Sequence, residues 1–192
     1  TIDSEDHLIV AGRWWKGYWA AYMYTRNLTN GKSRNCNVDG NDFRKLIKNF
    51  WSMSLDDGSY LYAVNASTSH IEGYELTKDA DTETYCPTDA IRDRHYKDAS
   101  SGNAIRDADA VEVDPDNNNV LWIASYGADT IQRVTISGET VTASVTKGSF
   151  GKGNTTTDAD VNMVDPYGLH ITSSKVYVGV KNPTLLQFAN DA

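Results

Sequence analysis

At 192 residues the chain is of single-domain size, long enough to bury a substantial core. Its 26 acidic against 18 basic residues leave a formal charge of -8, and the basic residues are scattered, which excludes the electrostatic footprint of a nucleic-acid binder. No run approaches the roughly eighteen consecutive apolar residues a membrane helix needs, and a start at Thr1 without a basic, apolar leader is what a soluble, processed or excised segment would show.

Twenty of the acids are Asp and six are Glu, a bias toward the side chain that makes Asx-turns and is poor inside helices, so a turn-rich β protein is expected. In chain order, Leu8-Ile9-Val10 followed by Tyr18-Trp19 reads as a pair of strands. Residues 27–48 interrupt the pattern, and Phe43, Leu46, Ile47 and Phe50 at helical spacing behind a cap at Asp42 predict a short helix. Leu61-Tyr62-Ala63-Val64 and Ile71-Glu72-Gly73-Tyr74 form the next strand pair, and the polar stretch 79–106 is expected to be an extended loop. Four strands are expected between Ala110 and Lys147, among them the alternating Thr140-Val141-Thr142-Ala143-Ser144-Val145. Val176-Tyr177-Val178-Gly179 and Leu186-Gln187-Phe188 close the series.

These pairs repeat. Asp107-Ala108-Asp109-Ala110-Val111-Glu112-Val113-Asp114-Pro115 recurs 51 residues later as Asp158-Ala159-Asp160-Val161-Asn162-Met163-Val164-Asp165-Pro166, with six of nine positions identical. In each of the four pairs the first residues of the two strands are ten apart, loosely so in the first. Short antiparallel strands repeated at fifty to sixty residues match a propeller blade better than a sandwich, which has no reason to repeat its sequence. The fold expected is all-β: a β-propeller or partial propeller of about four antiparallel blades with two loop inserts. It forms a single repeat domain over 1–192, with approximate blades at 1–48, 49–106, 107–157 and 158–192. Pro166-Tyr167-Gly168-Leu169-His170-Ile171, followed by Val176-Tyr177-Val178, resembles blades of NHL-type and gluconolactonase-like propellers. Four units that begin near a second strand and end near a third would close only as a four-bladed ring; otherwise an open blade face needs missing polypeptide, another copy or a different subunit.

Cys36 and Cys86 fall in the two inserts and are expected to form a disulfide stapling adjacent blades, with two free buried thiols as the alternative. The bridge and the acidic, turn-rich composition point to an extracellular or periplasmic protein. Three N-glycosylation sequons, at Asn27, Asn65 and Asn154, are no more than chance supplies.

The propeller resemblance implies a ligand face made by the loops that lead into the innermost strands and those that join the second and third. That face would collect Trp14, Trp15, Tyr18, Trp19, Asn65, His70 and Asp129 as ligand-binding candidates, together with the segment around Asn182. The same face would carry Asp107, Asp109, Asp158 and Asp160, whose carboxylates suit a hard cation such as calcium, although turn-capping by itself fully explains a repeated Asp and is the favoured reading. The aromatic cluster from Trp14 to Tyr24 would either stack on sugars or partners or fill the wedge between blades. Asn35-x-Asn37-x-Asp39-Gly40-Asn41 opens like a calcium loop but has Leu46 where the bidentate acid belongs. The four histidines show no metal spacing, and no nucleophile elbow, Walker loop or dinucleotide fingerprint is present. Two function classes follow: a noncatalytic extracellular binding or assembly module that presents propeller loops and edges to protein or glycan partners, and a metal-dependent hydrolase of the gluconolactonase-like propeller type, with calcium the candidate metal. A segment of a larger propeller protein is the third.

Overall fold

The computed structural model describes residues 7–14, 20–36, 50–55, 60–65, 70–87, 94–95, 97–98, 108–126, 130–137, 140–149, 166–180 and 184–189. All regular elements among these are β-strands, and no helix there is long and apolar enough to cross a membrane.

Four antiparallel sheets follow one another along the chain. The first holds β1 (His7–Trp14), β2 (Ala20–Asn27) and β3 (Ser33–Asn35); the second holds β4 (Phe50–Leu55), β5 (Tyr60–Asn65), β6 (His70–Lys78) and β7 (Tyr85–Pro87), with β8 (Arg94–His95) sharing the β6 edge. The third runs β10 (Ala108–Asp114), β11 (Asn117–Ser125), β12 (Thr130–Ser137) and β13 (Thr140–Ser149), and β9 (Lys97–Asp98) adds to β13 in parallel. The fourth holds β14 (Pro166–Ile171), β15 (Lys175–Val180) and β16 (Thr184–Ala189). This is an all-β partial propeller of four blade-like sheets.

Strand alternation explains how the sheets stack. On β5, Leu61 and Ala63 pack with Leu55, Tyr74, Leu76, Cys36 and Cys86 on the side of the first sheet. Their neighbours Tyr62 and Val64 point the other way, into a cluster with Val111, Val113, Leu121 and Ile123 of the third. β11 divides in the same manner, sending Leu121 and Ile123 back toward the second sheet and Val120, Trp122 and Ala124 forward onto Val176, Val178 and Val180. A sheet buried on both faces needs an unbroken apolar second strand, which is why Leu61–Val64 and Leu121–Ala124 read as continuous runs. Each fully buried aliphatic side chain here is worth roughly 1.5–3 kcal/mol.

Strand β10 lies beside β4 on one side and β14 on the other, so β4, β10 and β14 are the innermost strands. Serines on β4 reach across the first of these junctions: Ser54 Oγ accepts the Val113 N–H at 3.0 Å, and Ser52 Oγ accepts the Val111 N–H at 3.2 Å. Backbone donors that no strand in their own sheet can satisfy are thereby paired from the neighbouring sheet.

Three expectations are corrected. Phe50, grouped with the predicted helix, opens β4, and residues 37–49 lie outside the described residues. The 79–106 stretch is not wholly loop: its described part contains β7, β8 and β9, whose hydrogen-bond partners come from β6 and β13. The 51-residue recurrence is not the strand register either. The innermost strands begin at 50, 108 and 166, 58 residues apart, so Pro166 is the structural counterpart of Ala108 rather than of Pro115.

The expected bridge is formed: Cys36 and Cys86 are disulfide-bonded, with Cα atoms 5.6 Å apart, and join the residue after β3 to β7. The two turns beside it are copies of each other. Asn27 Oδ1 accepts the N–H groups of Thr29 and Asn30, and Asp79 Oδ1 accepts those of Asp81 and Thr82. Gly31 and Glu83, each four residues on, both take positive φ. The match identifies β2–β3 with β6–β7, and hence β1 with the second strand of a blade. Asn27 is buried with its amide directed at the Glu83 carbonyl, so its sequon has no free side chain to modify.

Candidate functional site

In three sheets the start of the innermost strand faces the end of the second: Phe50 opposite Asn65, Ala108 opposite Ser125 and Pro166 opposite Val180. The ends of the second strands in turn face the starts of the third, at Asn65–His70, Ser125–Thr130 and Val180–Thr184. Both sets of loops therefore leave from one end of the stack.

At that end each innermost strand carries a β-bulge. The register slips between Phe50 and Ser52, between Ala108 and Ala110, and between Pro166 and Gly168. Trp51, Asp109 and Tyr167 are the extra residues at the three slips, and a bulge can re-aim a side chain away from the regular face. Asp109 uses the freedom to accept the Tyr126 N–H on Oδ2 at 2.7 Å, which fixes the turn after β11. Tyr126 and Tyr167 are 38% and 55% exposed, an unusual state for large aromatic residues beside a packed core. Phenol rings and a carboxylate projecting from neighbouring strands can stack on a flat apolar surface and accept hydroxyl hydrogen bonds.

The sequence candidates divide as follows. Asn65 ends β5, half-buried His70 begins β6 and Asp109 sits on the β10 bulge, so these three share the loop end of the second and third sheets. Trp14 ends β1 at the corresponding connection of the first sheet. Trp15, Tyr18, Trp19, Asp107, Asp129, Asp158, Asp160 and Asn182 lie outside the described residues. Of the calcium-loop residues, Asn35 is exposed on β3 and the rest also lie outside. Among the described residues no group of three or more His, Cys, Asp or Glu is placed to hold a metal ion. The register changes the metal argument in one respect: the counterpart of Asp109 in the fourth sheet is Tyr167, not Asp160.

Two polar groups escaped the sequence reading. Glu112 lies between Val111 and Val113 on β10 and pairs with His170 of β14, Oε1 to Nδ1 at 3.3 Å, while the His170 ring stacks on Tyr177. Burial pushes the Glu112 carboxyl above its ordinary value, and the Ile171 N–H and the His170 imidazole draw it back down in part. Ser54, Glu112 and His170 occupy one position in three successive innermost strands, opposite Tyr62, Trp122 and Tyr177. The 58-residue spacing was the signal that could have found them. On β6, Glu72 is buried and accepts the Tyr74 hydroxyl at 2.5 Å. The Asp79 carboxyl, by contrast, is held below its ordinary value by the Thr82 amide and hydroxyl that cap its turn, with Arg34 3.3 Å away.

No family model matches the chain, and no curated protein does. Solved structures do resemble it. A proposed 6-phosphogluconolactonase from Bacteroides fragilis is 13% identical with a TM-score of 0.52, over 96% of this chain and 48% of that one. A protein from Lactobacillus plantarum is 18% identical with a TM-score of 0.44, over 94% of this chain and 51% of that one. A computationally designed protein, Ika4, reaches a TM-score of 0.36 at 11% identity, over 73% and 91%. At these identities the first likeness shows the fold alone. The chain spans about half the length of the two natural proteins.

Proposed function

We propose that the chain is a noncatalytic binding and assembly module of an oxidising, extracellular compartment, whose loop end holds a glycan. The observation that carries this reading is the pair of exposed tyrosines, Tyr126 and Tyr167, at the bulged ends of adjacent sheets, with Asp109 bonded to the Tyr126 N–H. Aromatic rings offer apolar faces to sugar C–H surfaces, and a fixed carboxylate takes hydroxyl hydrogen bonds. Asn65 and His70 extend the same end of the stack into the second sheet, and Trp14 at the end of β1 extends it into the first; the reading also assigns ligand binding to Trp15, Tyr18, Trp19 and Asp129, which lie outside the described residues. The Cys36–Cys86 bridge supports the compartment.

Affinity electrophoresis through gels containing neutral and acidic polysaccharides tests the proposal. Wild-type protein should be retarded by at least one of them, and a Tyr126→Ala, Tyr167→Ala double variant should migrate freely. No retardation of the wild type across the panel would overturn the glycan reading.

The second reading, a metal-dependent hydrolase with calcium as the candidate metal, is favoured by the fold shared with the Bacteroides protein and by the acids Asp107, Asp109, Asp158 and Asp160. Calcium would be held by these carboxylates and would polarise a carbonyl. Calorimetric titration with calcium chloride separates the two classes, since absence of binding removes the hydrolase reading.

A further inference from the structure

Each junction between neighbouring sheets from the second onward repeats one arrangement. Tyr62 on β5 is covered by the third sheet and Trp122 on β11 by the fourth, both almost completely. The side chain opposite each reaches the next innermost strand: Ser54 takes the Val113 N–H, and Glu112 takes the Ile171 N–H, Val113 and Ile171 being counterparts. The next members of these two series are Tyr177 and His170. Tyr177 is only half-buried, the His170 side chain is 69% exposed, and among the described residues no strand lies over either.

The other end of the stack shows the reverse. Tyr24 stands three residues before the Asn27 turn, as Leu76 stands three before the matching Asp79 turn. Leu76 is buried against the first sheet, whereas Tyr24 is 37% exposed. Both terminal sheets thus present an aromatic ring at a position that interior sheets bury.

We propose that a second copy of this chain covers both faces at once, the fourth sheet of each copy seating on the first sheet of the other, so that two copies close one ring about a shared two-fold axis. The face that the fourth sheet offers is the one that the second and third sheets bury against their successors. The length agrees: this chain aligns over 48% of the similar Bacteroides fragilis protein, so two copies supply about as much polypeptide as that single longer chain. A head-to-tail contact that closes after two members leaves no edge free for further growth. The inference rests on the assembly part of the function proposed above and is independent of the glycan part.

Sedimentation velocity of the whole chain at physiological salt, which screens the charge of -8 on each copy, provides the test. The expected result is a species of twice the 21.2 kDa chain mass with no larger oligomer as concentration rises. Tyr177→Glu and Tyr24→Glu should each return it to monomer with an unchanged far-ultraviolet circular dichroism spectrum, while Tyr126→Ala should remain dimeric. Hydrogen exchange of the unaltered protein gives a reading that needs no variant: peptides covering 20–27 and 175–180 should gain protection on going from dilute to concentrated solution. A wild type that stays monomeric at 100 μM overturns the proposal, as does a dimer indifferent to both tyrosine substitutions or a ladder of higher oligomers. A monomer that is still retarded by a polysaccharide would keep the glycan reading and remove the ring.

Discussion

Removing the Cys36–Cys86 bridge should lower the stability of this protein by about 4 kcal/mol. The two cysteines are 50 residues apart, and the loop-closure entropy lost from an unfolded chain cross-linked over that distance comes to roughly that value at 25 °C. The bridge is the covalent link between the first sheet and the second. The Asn30 amide to Glu83 carboxylate bond, the Lys32 ammonium on the Asp81 carbonyl and the Arg34–Asp79 ion pair all face solvent, where each is worth at most about 1 kcal/mol. Alanine is the replacement to use at both positions, since Cys36 and Cys86 sit in an apolar cluster with Leu55, Leu61, Tyr74 and Leu76, where a serine hydroxyl would add a desolvation cost of its own. For a chain of this size a loss of 4 kcal/mol corresponds to a fall in melting temperature of roughly 8–16 °C. Thermal unfolding of the double alanine variant, and of the parent with and without reductant, measures it. Hydrogen exchange should show the loss first in residues 20–36, because the first sheet is the part released. A variant melting within 2 °C of the parent would refute the reasoning, and so would a fall with no added exchange in the first sheet.

Other expectations follow from single contacts. Trp122→Phe removes the indole N–H that Asp114 Oδ2 accepts at 3.0 Å inside the core, and loss of this buried, charge-assisted bond should cost about 1–3 kcal/mol by urea unfolding; a loss under 0.5 kcal/mol would show that the bond contributes little. Ser54→Ala should cost about 1–3 kcal/mol in the same assay, since the Val113 N–H behind it is buried at the sheet junction, and an unchanged denaturation midpoint would contradict that. Glu112 governs a pH dependence. Its folded-state pKa is raised, so between the ordinary carboxylate value and the raised one the native state holds more protons than the unfolded chain, and stability falls as pH rises through that window. Glu112→Gln keeps an acceptor for the Ile171 N–H without the buried charge, so its stability relative to the parent should improve from pH 4 to pH 7; parallel curves would count against the assignment. Asp109→Ala should change stability by less than about 1 kcal/mol, because the Tyr126 N–H it releases lies at an exposed turn and water can replace the carboxylate. A larger loss would mean that the bulge is part of the core rather than of the loop end.

The strands of the second and third sheets were legible because a sheet buried on both faces leaves an apolar run for its second strand, as in Leu61–Val64 and Leu121–Ala124, and the fourth shows the buried alternate residues Val176 and Val178. That signal is local. The cysteines could be paired from their positions in neighbouring units, and the Asp-rich composition announced turns such as the one that Asp79 caps. What sequence could not settle is everything that depends on a partner strand far along the chain. β7, β8 and β9 are two or three residues long with no pattern of their own, and exist because β6 and β13 offer them backbone groups. Phe50 fitted a helical spacing with its neighbours, yet the register with Asn65 makes it a strand residue. The recurrence of Asp-Ala-Asp at 51 residues suggested a strand alignment that tertiary packing replaced with one of 58, because the register is chosen by which side chains meet across a junction and not by which letters repeat. For the same reason Glu112 and His170, 58 residues apart and not linked by any motif, become a contact. Composition and alternation were thus enough to determine an all-β repeat with a covalent staple. Only the folded structure decided which residues share the loop end and which faces the two terminal sheets leave exposed, since both follow from long-range register.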